Sequence, residues 1–252
     1  MPAPIALQLY TVREIAAVQG FDFIARRAAE IGYVGVETAG FPGTTAEAAA
    51  KLCADLGLEV CSAHLPLPVG DKRQQSLDTA ATLGIQRLVS GCAPDDFSSL
   101  DSIRATAHRF NEAADVCRQA GMSFVIHNHW WEFQEVEGAL GYKHLLEDLD
   151  DQVLFQLDAY WVQTAGADPV SILSELGPRA PLVHVKDGPC DLEKDMQALG
   201  EGVTDVEGLI EAGGDNVDWW IVELDRCETD MMEAVIKSYD YLVRGGHARG
   251  NK

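Results

Sequence analysis

A closed (β/α)8 barrel, the TIM architecture, is the fold class this sequence predicts, on three observations. Short apolar runs alternate with longer amphipathic segments eight times along the chain. Strands that alternate with helices form a parallel sheet, because each parallel return needs a crossover. A length of 252 residues, 47% of them hydrophobic, lets eight such units close around one large core. The α/β chain is therefore expected to be a single barrel domain over residues 1–252. An open doubly wound sheet is the next choice, but no G-x-G-x-x-G follows the first strand.

The elements follow in order. Residues 5–10 read as the first strand and 21–31 as the first helix. Strand 34–37 precedes helix 45–56, which Thr44 or Thr45 caps. Strands at 59–64, 87–90 and 123–127 lead into helices at 72–83, 100–120 and 142–149. The second half pairs strand 154–158 with helix 169–176, strand 182–186 with helix 206–212, and strand 219–223 with helix 231–244. Gly57, Gly84 and Gly121 each follow a helix, where a left-handed cap is wanted. Thr204 and Glu207 have the spacing of a capping box for the seventh helix.

Alternate residues of a strand face opposite ways. Glu223 thus shares the inner face with Ile221 and Trp219, His184 with Lys186, Asp158 with Gln156, His64 with Ser62, Glu37 with Gly35, and Tyr10 with Gln8. The outer sets, such as Val183 with Val185 and Phe155 with Leu157, are apolar, as helix-covered faces should be. The inner sets become polar towards their C-terminal ends, where catalytic groups gather in such barrels. Four strand ends there carry metal-ligand or acid–base groups: His127 with the loop after it, Asp158, His184 and Glu223.

A formal charge of −21, from 19 basic and 40 acidic residues, repels a polyphosphate backbone and argues against nucleic acid as a partner. Six cysteines with no C-x-x-C pair fit the reduced thiols of a cytosolic protein. The N-terminus has no basic n-region, and no apolar stretch approaches the ~20 residues of a membrane span. The expectation is a cytoplasmic protein with no membrane partner, for which a homo-oligomer is allowed.

Several motifs, in joint order and spacing, resemble the sugar phosphate isomerase/epimerase family, which shares the xylose isomerase-like barrel. They are Gln8-Leu9-Tyr10-Thr11-Val12-Arg13, Gly32-Tyr33-Val34-Gly35-Val36-Glu37 and His127-Asn128-His129-Trp130-Trp131-Glu132-Phe133, then Gln156-Leu157-Asp158-Ala159-Tyr160-Trp161, Asp168-Pro169, His184-Val185-Lys186-Asp187, Leu199-Gly200-Glu201-Gly202 and Val222-Glu223-Leu224-Asp225. The resemblance spans nearly the whole chain. It implies one divalent metal ion, manganese most readily, with magnesium or zinc as alternatives, held by Glu, Asp, His and Glu at the ends of strands five to eight. Asp158, His184 and Glu223 match that pattern. For strand five the ligand is assigned to Glu132, because a second carboxylate balances a divalent charge better than a second imidazole, with His127 as the alternative.

Such a metal would polarise a carbonyl and its neighbouring hydroxyl, easing removal of the α-proton. Glu132 and Glu223 are then the proton-transfer pair, and Lys186 and His64 the donors to the developing oxyanion. Tyr10, Trp131 and Trp161 offer flat walls to a small carbohydrate, with Glu37, His127 and His129 as further substrate contacts. The expected activity is isomerisation or epimerisation of a small keto-sugar. The alternatives are β-elimination on a keto-inositol or 3-keto-glycoside, an apurinic-site endonuclease, which would need three metals and a basic groove, and a sugar-binding barrel without chemistry. Asp187 and Asp225 are equally loop charges or supporting partners, and Gly200-Glu201-Gly202 reads as a turn more than as a phosphate loop.

Overall fold

The computed structural model describes residues 1–252. Eight parallel strands close into a barrel: β1 (Ile5–Gln8), β2 (Gly35–Thr38), β3 (Glu59–His64), β4 (Arg87–Ser90), β5 (Ser123–His127), β6 (Leu154–Asp158), β7 (Leu182–Val185) and β8 (Trp219–Val222). Closure is made by β1, which pairs with β2 on one side and β8 on the other. Ten helices surround it: α1 (Arg13–Gln19), α2 (Phe21–Ile31), α3 (Ala46–Asp55), α4 (Arg73–Leu83), α5 (Leu100–Gln119), α6 (Gly141–Asp148), α7 (Ala159–Thr164), α8 (Pro169–Leu176), α9 (Val206–Gly213) and α10 (Met231–Arg244). No helix is long and apolar enough to cross a membrane.

Two apolar layers follow from strand parity. The outer one packs Leu7, Val36, Leu88, Ile126, Leu157, Val183, Val185 and Trp220 against the helices. The inner one is a small floor of Ala6, Cys61, Val89, Val125, Leu182, Trp219 and Ile221. Gly35 makes room for that floor: a Cβ there would lie 2.9 Å from the Trp219 ring and 2.7 Å from the Glu59 carbonyl. Above it the lumen is polar, so the barrel is a plug with a reactive top. The register slips between Val36 and Glu37. In consequence Cys61 joins the floor while Ser62, its neighbour, also points inward and donates to Glu37.

Several boundaries differ from expectation, each for a local reason. The first strand stops at Gln8, whose side-chain oxygen accepts from the Tyr10 amide and starts a 3-10 turn over Leu9–Val12. α7 begins directly on Asp158, which caps it through the Trp161 amide. A hairpin of Glu135–Val136 with Ala139–Leu140 follows β5, turned by Glu137 and Gly138 at positive φ. Thr45 caps α3, but the expected capping box on Thr204 does not form. Asp205 caps α9 instead, accepting from the Gly208 amide at 2.9 Å, while the Thr204 amide is held by Asp187.

Candidate metal centre and its cleft

The register of the last strands brings the ionisable groups together. Asp158 ends β6 directly beside His184 on β7, and His184 sits beside Ile221, two residues before Glu223. His127 ends β5 beside Gln156. His127, Asp158, His184 and Glu223 each present a ligand atom within 4.8 Å of the others, and all four are buried. His64, His127 and His184 form an overlapping imidazole set.

Each side chain is held from behind. His184 places Nδ1 2.7 Å from Glu223 Oε2 and Nε2 2.7 Å from Glu37 Oε1. Glu37 is fully buried and receives Gln8 Nε2, Ser62 Oγ and Gln156 Nε2 as well, at 2.6, 2.5 and 2.5 Å. Its four acceptor sites are therefore filled by protein donors. Burial alone would raise its pKa, but His64 and His184 hold it well below the usual carboxylate range. Asn128 acts similarly on Asp158, accepting from its amide at 2.9 Å and donating to its carbonyl at 3.2 Å.

Hydrogen-bond complementarity assigns protons to the ring nitrogens. The ionised Glu37 carboxylate accepts only, so the Gln156 amide turns its NH2 group to it, and Oε1 faces His64 Nε2 at 2.8 Å and His127 Nδ1 at 3.1 Å. Both nitrogens must then donate. His127 is left with Nε2 as its free lone pair, whereas His184 donates from Nε2 to Glu37 and from Nδ1 to the ionised Glu223, a proton that a bound ion would displace.

Charge is dense here. Lys186 Nζ lies 2.9 Å from Asp158 Oδ2, 2.8 Å from Glu223 Oε2 and 2.6 Å from Asp225 Oδ2. Burial opposes the charged forms of Lys186 and Glu223, yet Asp158, then Glu223 and Asp225, raise the lysine pKa, and Lys186 with His184 lowers the glutamate well below its ordinary value. Burial likewise opposes His184 cationic character, but Glu223 and Glu37 push it up to about 10. Burial and the neighbouring imidazoles of His184 and His64 keep His127 neutral. Asp158 is raised, first by burial, although Lys186 and His184 pull the other way. Its Oδ2 accepts no well-directed hydrogen bond, the Lys186 ammonium approaching it off-axis.

Glu132, the ligand expected for strand five, is not brought to the others. It is buried, but not in the cluster: Oε1 accepts from the Cys92 thiol at 3.1 Å and Oε2 from the His129 amide at 2.9 Å. The 3-10 turn over Trp131–Phe133 directs its carboxylate back to the β5 loop, and His127 takes the strand-five place. Glu37 is likewise a support beneath the site, not a cleft wall.

The cleft above the cluster encloses about 330 Å³, walled by Tyr10, His64, His127, His129, Trp161 and Glu223. Trp131 stands behind it, stacked on the His129 ring at 4.0 Å, and Trp161 lies 5.3 Å from the Lys186 ammonium. Larger recesses of about 440 and 660 Å³ open beside α1 and at the opposite, N-terminal end of the barrel. Neither contains the imidazole and carboxylate cluster. Gln156 and Asn128 were not singled out from sequence as site residues, and Asp187 was weighed equally as a loop charge and as a supporting partner. Gln156 could have been found by its inward parity with Asp158.

The sequence matches the family model of the xylose isomerase-like TIM barrel over residues 25–235. Among curated proteins, none matches it. A sugar phosphate isomerase/epimerase from Parabacteroides distasonis superposes with a TM-score of 0.83 at 23% identity, covering 99% of this chain and 96% of its own. The probable 3-DHS dehydratase AsbF of Bacillus anthracis, involved in petrobactin synthesis, gives 0.74 at 17% identity, over 95% and 98%. The IolI protein with a binding zinc atom gives 0.72 at 14%, over 96% and 97%. At these identities the structural likeness carries the fold, and the family model covers most of the sequence. The chain belongs to the xylose isomerase-like TIM barrel family.

Proposed function

We propose that this barrel is a metal-dependent isomerase or epimerase of a small keto-sugar or sugar derivative. The observation that carries the reading is the convergence of two imidazoles and two carboxylates on one point beneath a polar, aromatic cleft, with Asp158 Oδ2 buried and without a well-directed donor. Two carboxylates balance a divalent charge. Two imidazole nitrogens shift the preference from magnesium towards manganese or zinc, and the likeness to a zinc-bound barrel is in keeping with that. His127 Nε2, His184 Nδ1, Asp158 and Glu223 would hold the ion, with Glu37 and Gln156 fixing the rings. When bound, it supplies Lewis-acid polarisation of a carbonyl and the neighbouring hydroxyl.

Glu223 borders the cleft and is kept ionised, so it is the acceptor for the α-proton. His64 stands three strands away around the barrel. Burial opposes its charge, but Glu37 raises its pKa, so it is a donor facing the same space. The Lys186 ammonium, buried among Asp158, Glu223 and Asp225, acts through those carboxylates and keeps Glu223 ionised, and Tyr10 and Trp161 flank the ring or chain of the substrate. The same acceptor and donor would serve β-elimination, a second reading favoured by the likeness to a probable dehydratase. The acidic surface disfavours nucleic acid as substrate.

The test is solvent exchange in deuterated water with a panel of ketoses and metal-loaded protein. Deuterium entering the carbon beside the carbonyl supports the isomerase reading, loss of water moves it to the lyase, and exchange undiminished by a chelator sinks both.

A further inference from the structure

Barrels of this architecture commonly seat a substrate phosphate on backbone amides of the loops after strands seven and eight and on a nearby helix N-terminus. In this chain that seat is filled from within. Asp187, which follows Lys186 at the end of β7 and is buried, accepts from the amides of Gly188, Gly200, Gly202 and Thr204 at 2.8, 2.9, 3.1 and 3.0 Å. The fit is tight, since a Cβ on Gly202 would lie 2.2 Å from Asp187 Oδ1. The N-terminus of α9, which follows this loop, is capped in turn by Asp205. The amides of the loop after β7 and the N-terminus of α9 are thus already taken by carboxylates of the chain itself.

The cleft offers no substitute. None of its wall residues is lysine or arginine, while Glu223 and Asp225 are both among them. Lys186 is shared among three carboxylates. Arg13, which touches the cleft wall from outside, donates to the carbonyls of Tyr10 and Asp225 and lies over the Tyr10 ring. A phosphate monoester would bring two negative charges into a site whose cations are already matched by carboxylates.

We propose that the substrate is an uncharged, unphosphorylated ketose or polyol ketone, discriminated from its phosphate ester by the filled amide cradle and the acidic cleft. This rests on the isomerase reading and adds the class of sugar to it.

Matched pairs decide it: D-fructose with D-fructose 6-phosphate, and D-ribulose with D-ribulose 5-phosphate, each measured for deuterium exchange and for the rise in melting temperature of the manganese-loaded protein. The free ketose should exchange with kcat/KM at least about 100-fold above its ester and should alone protect against melting. Exchange or protection by an ester at lower concentration than by its free ketose overturns the inference. Protection by the free ketose without exchange of either partner removes the isomerase reading and leaves the sugar class standing. Asp187→Ser supplies a second measurement: emptying the cradle should narrow the preference for the free ketose, and an unchanged ratio in a folded variant counts against the cradle.

Discussion

Asp158 on β6 and His184 on β7 are direct register partners, and the 4.0 Å between Asp158 Oδ2 and His184 Nδ1 is set by the pairing of two buried strands. Neither side chain depends on a loop for its place. Removing the imidazole by His184→Ala should therefore abolish tight manganese or zinc binding. It should also destabilise the fold by roughly 3–5 kcal/mol, because Glu37 loses a buried cationic partner. His144→Ala, which cuts only a bond to the Val136 carbonyl near the surface, is the control. Equal metal affinities in the two variants by competition with a chelating dye would place the ion elsewhere.

His127 and Glu132 separate cleanly. His127→Ala should weaken metal binding by at least about 100-fold. Glu132→Ala should leave it within a few fold while costing about 1–3 kcal/mol in urea unfolding, since the Cys92 thiol and His129 amide lose their acceptor. Release of the ion by the Glu132 change alone would restore the carboxylate assignment.

Gln156 should govern the His127 tautomer. Two-bond nitrogen–proton spectra of the metal-free protein should show His127 protonated at Nδ1 alone and His184 at both ring nitrogens. In Gln156→Met, His127 should lose its fixed Nδ1 proton and metal affinity should fall by about 10–100-fold, with His184 unchanged. An Nε2 proton on His127 in the unsubstituted protein contradicts the hydrogen-bond assignment.

Asp187→Ala leaves four amides without their acceptor, that of Gly188 buried and those of Gly200, Gly202 and Thr204 nearer the surface, and should cost about 1–3 kcal/mol. Hydrogen exchange locates the effect: protection should be lost first at Gly200, Gly202 and Thr204. Uniform loss over the whole barrel would mean that Asp187 is not a local clasp.

Glu223→Gln should lower deuterium exchange into a turned-over ketose by at least about 100-fold, through loss of the proton acceptor. Binding of a non-reacting polyol should weaken far less. Parallel loss of both would assign Glu223 to metal binding only.

The barrel was legible because it rests on period: eight apolar runs, inward and outward sets, and a floor built around Trp219 follow from alternation alone. Asp158, His184 and Glu223 came from the same rule, as polar residues at the ends of apolar strands. What escaped lies where the chain leaves the strand. Placing Glu132 requires knowing that Trp131–Phe133 forms a single tight turn, and the sequence offers only a run of aromatic and acidic residues there. Asp187 was ambiguous because its partners are backbone amides more than ten residues away, which have no signature beyond glycine. The Thr204 capping box failed because Asp205, next in line, competes for the same helix end.

Lys186 is the largest charged side chain among the fully buried residues. Its ammonium gives Asp158, Glu223 and Asp225 a counter-charge that is tethered to β7 by the chain itself. The repulsion among carboxylates that would otherwise oppose drawing β6, β7 and β8 together is met during collapse by a group delivered with the strands. If an ion binds as proposed, we expect it to join strands whose carboxylates already have this counter-charge, unlike a small domain whose nucleus is its zinc.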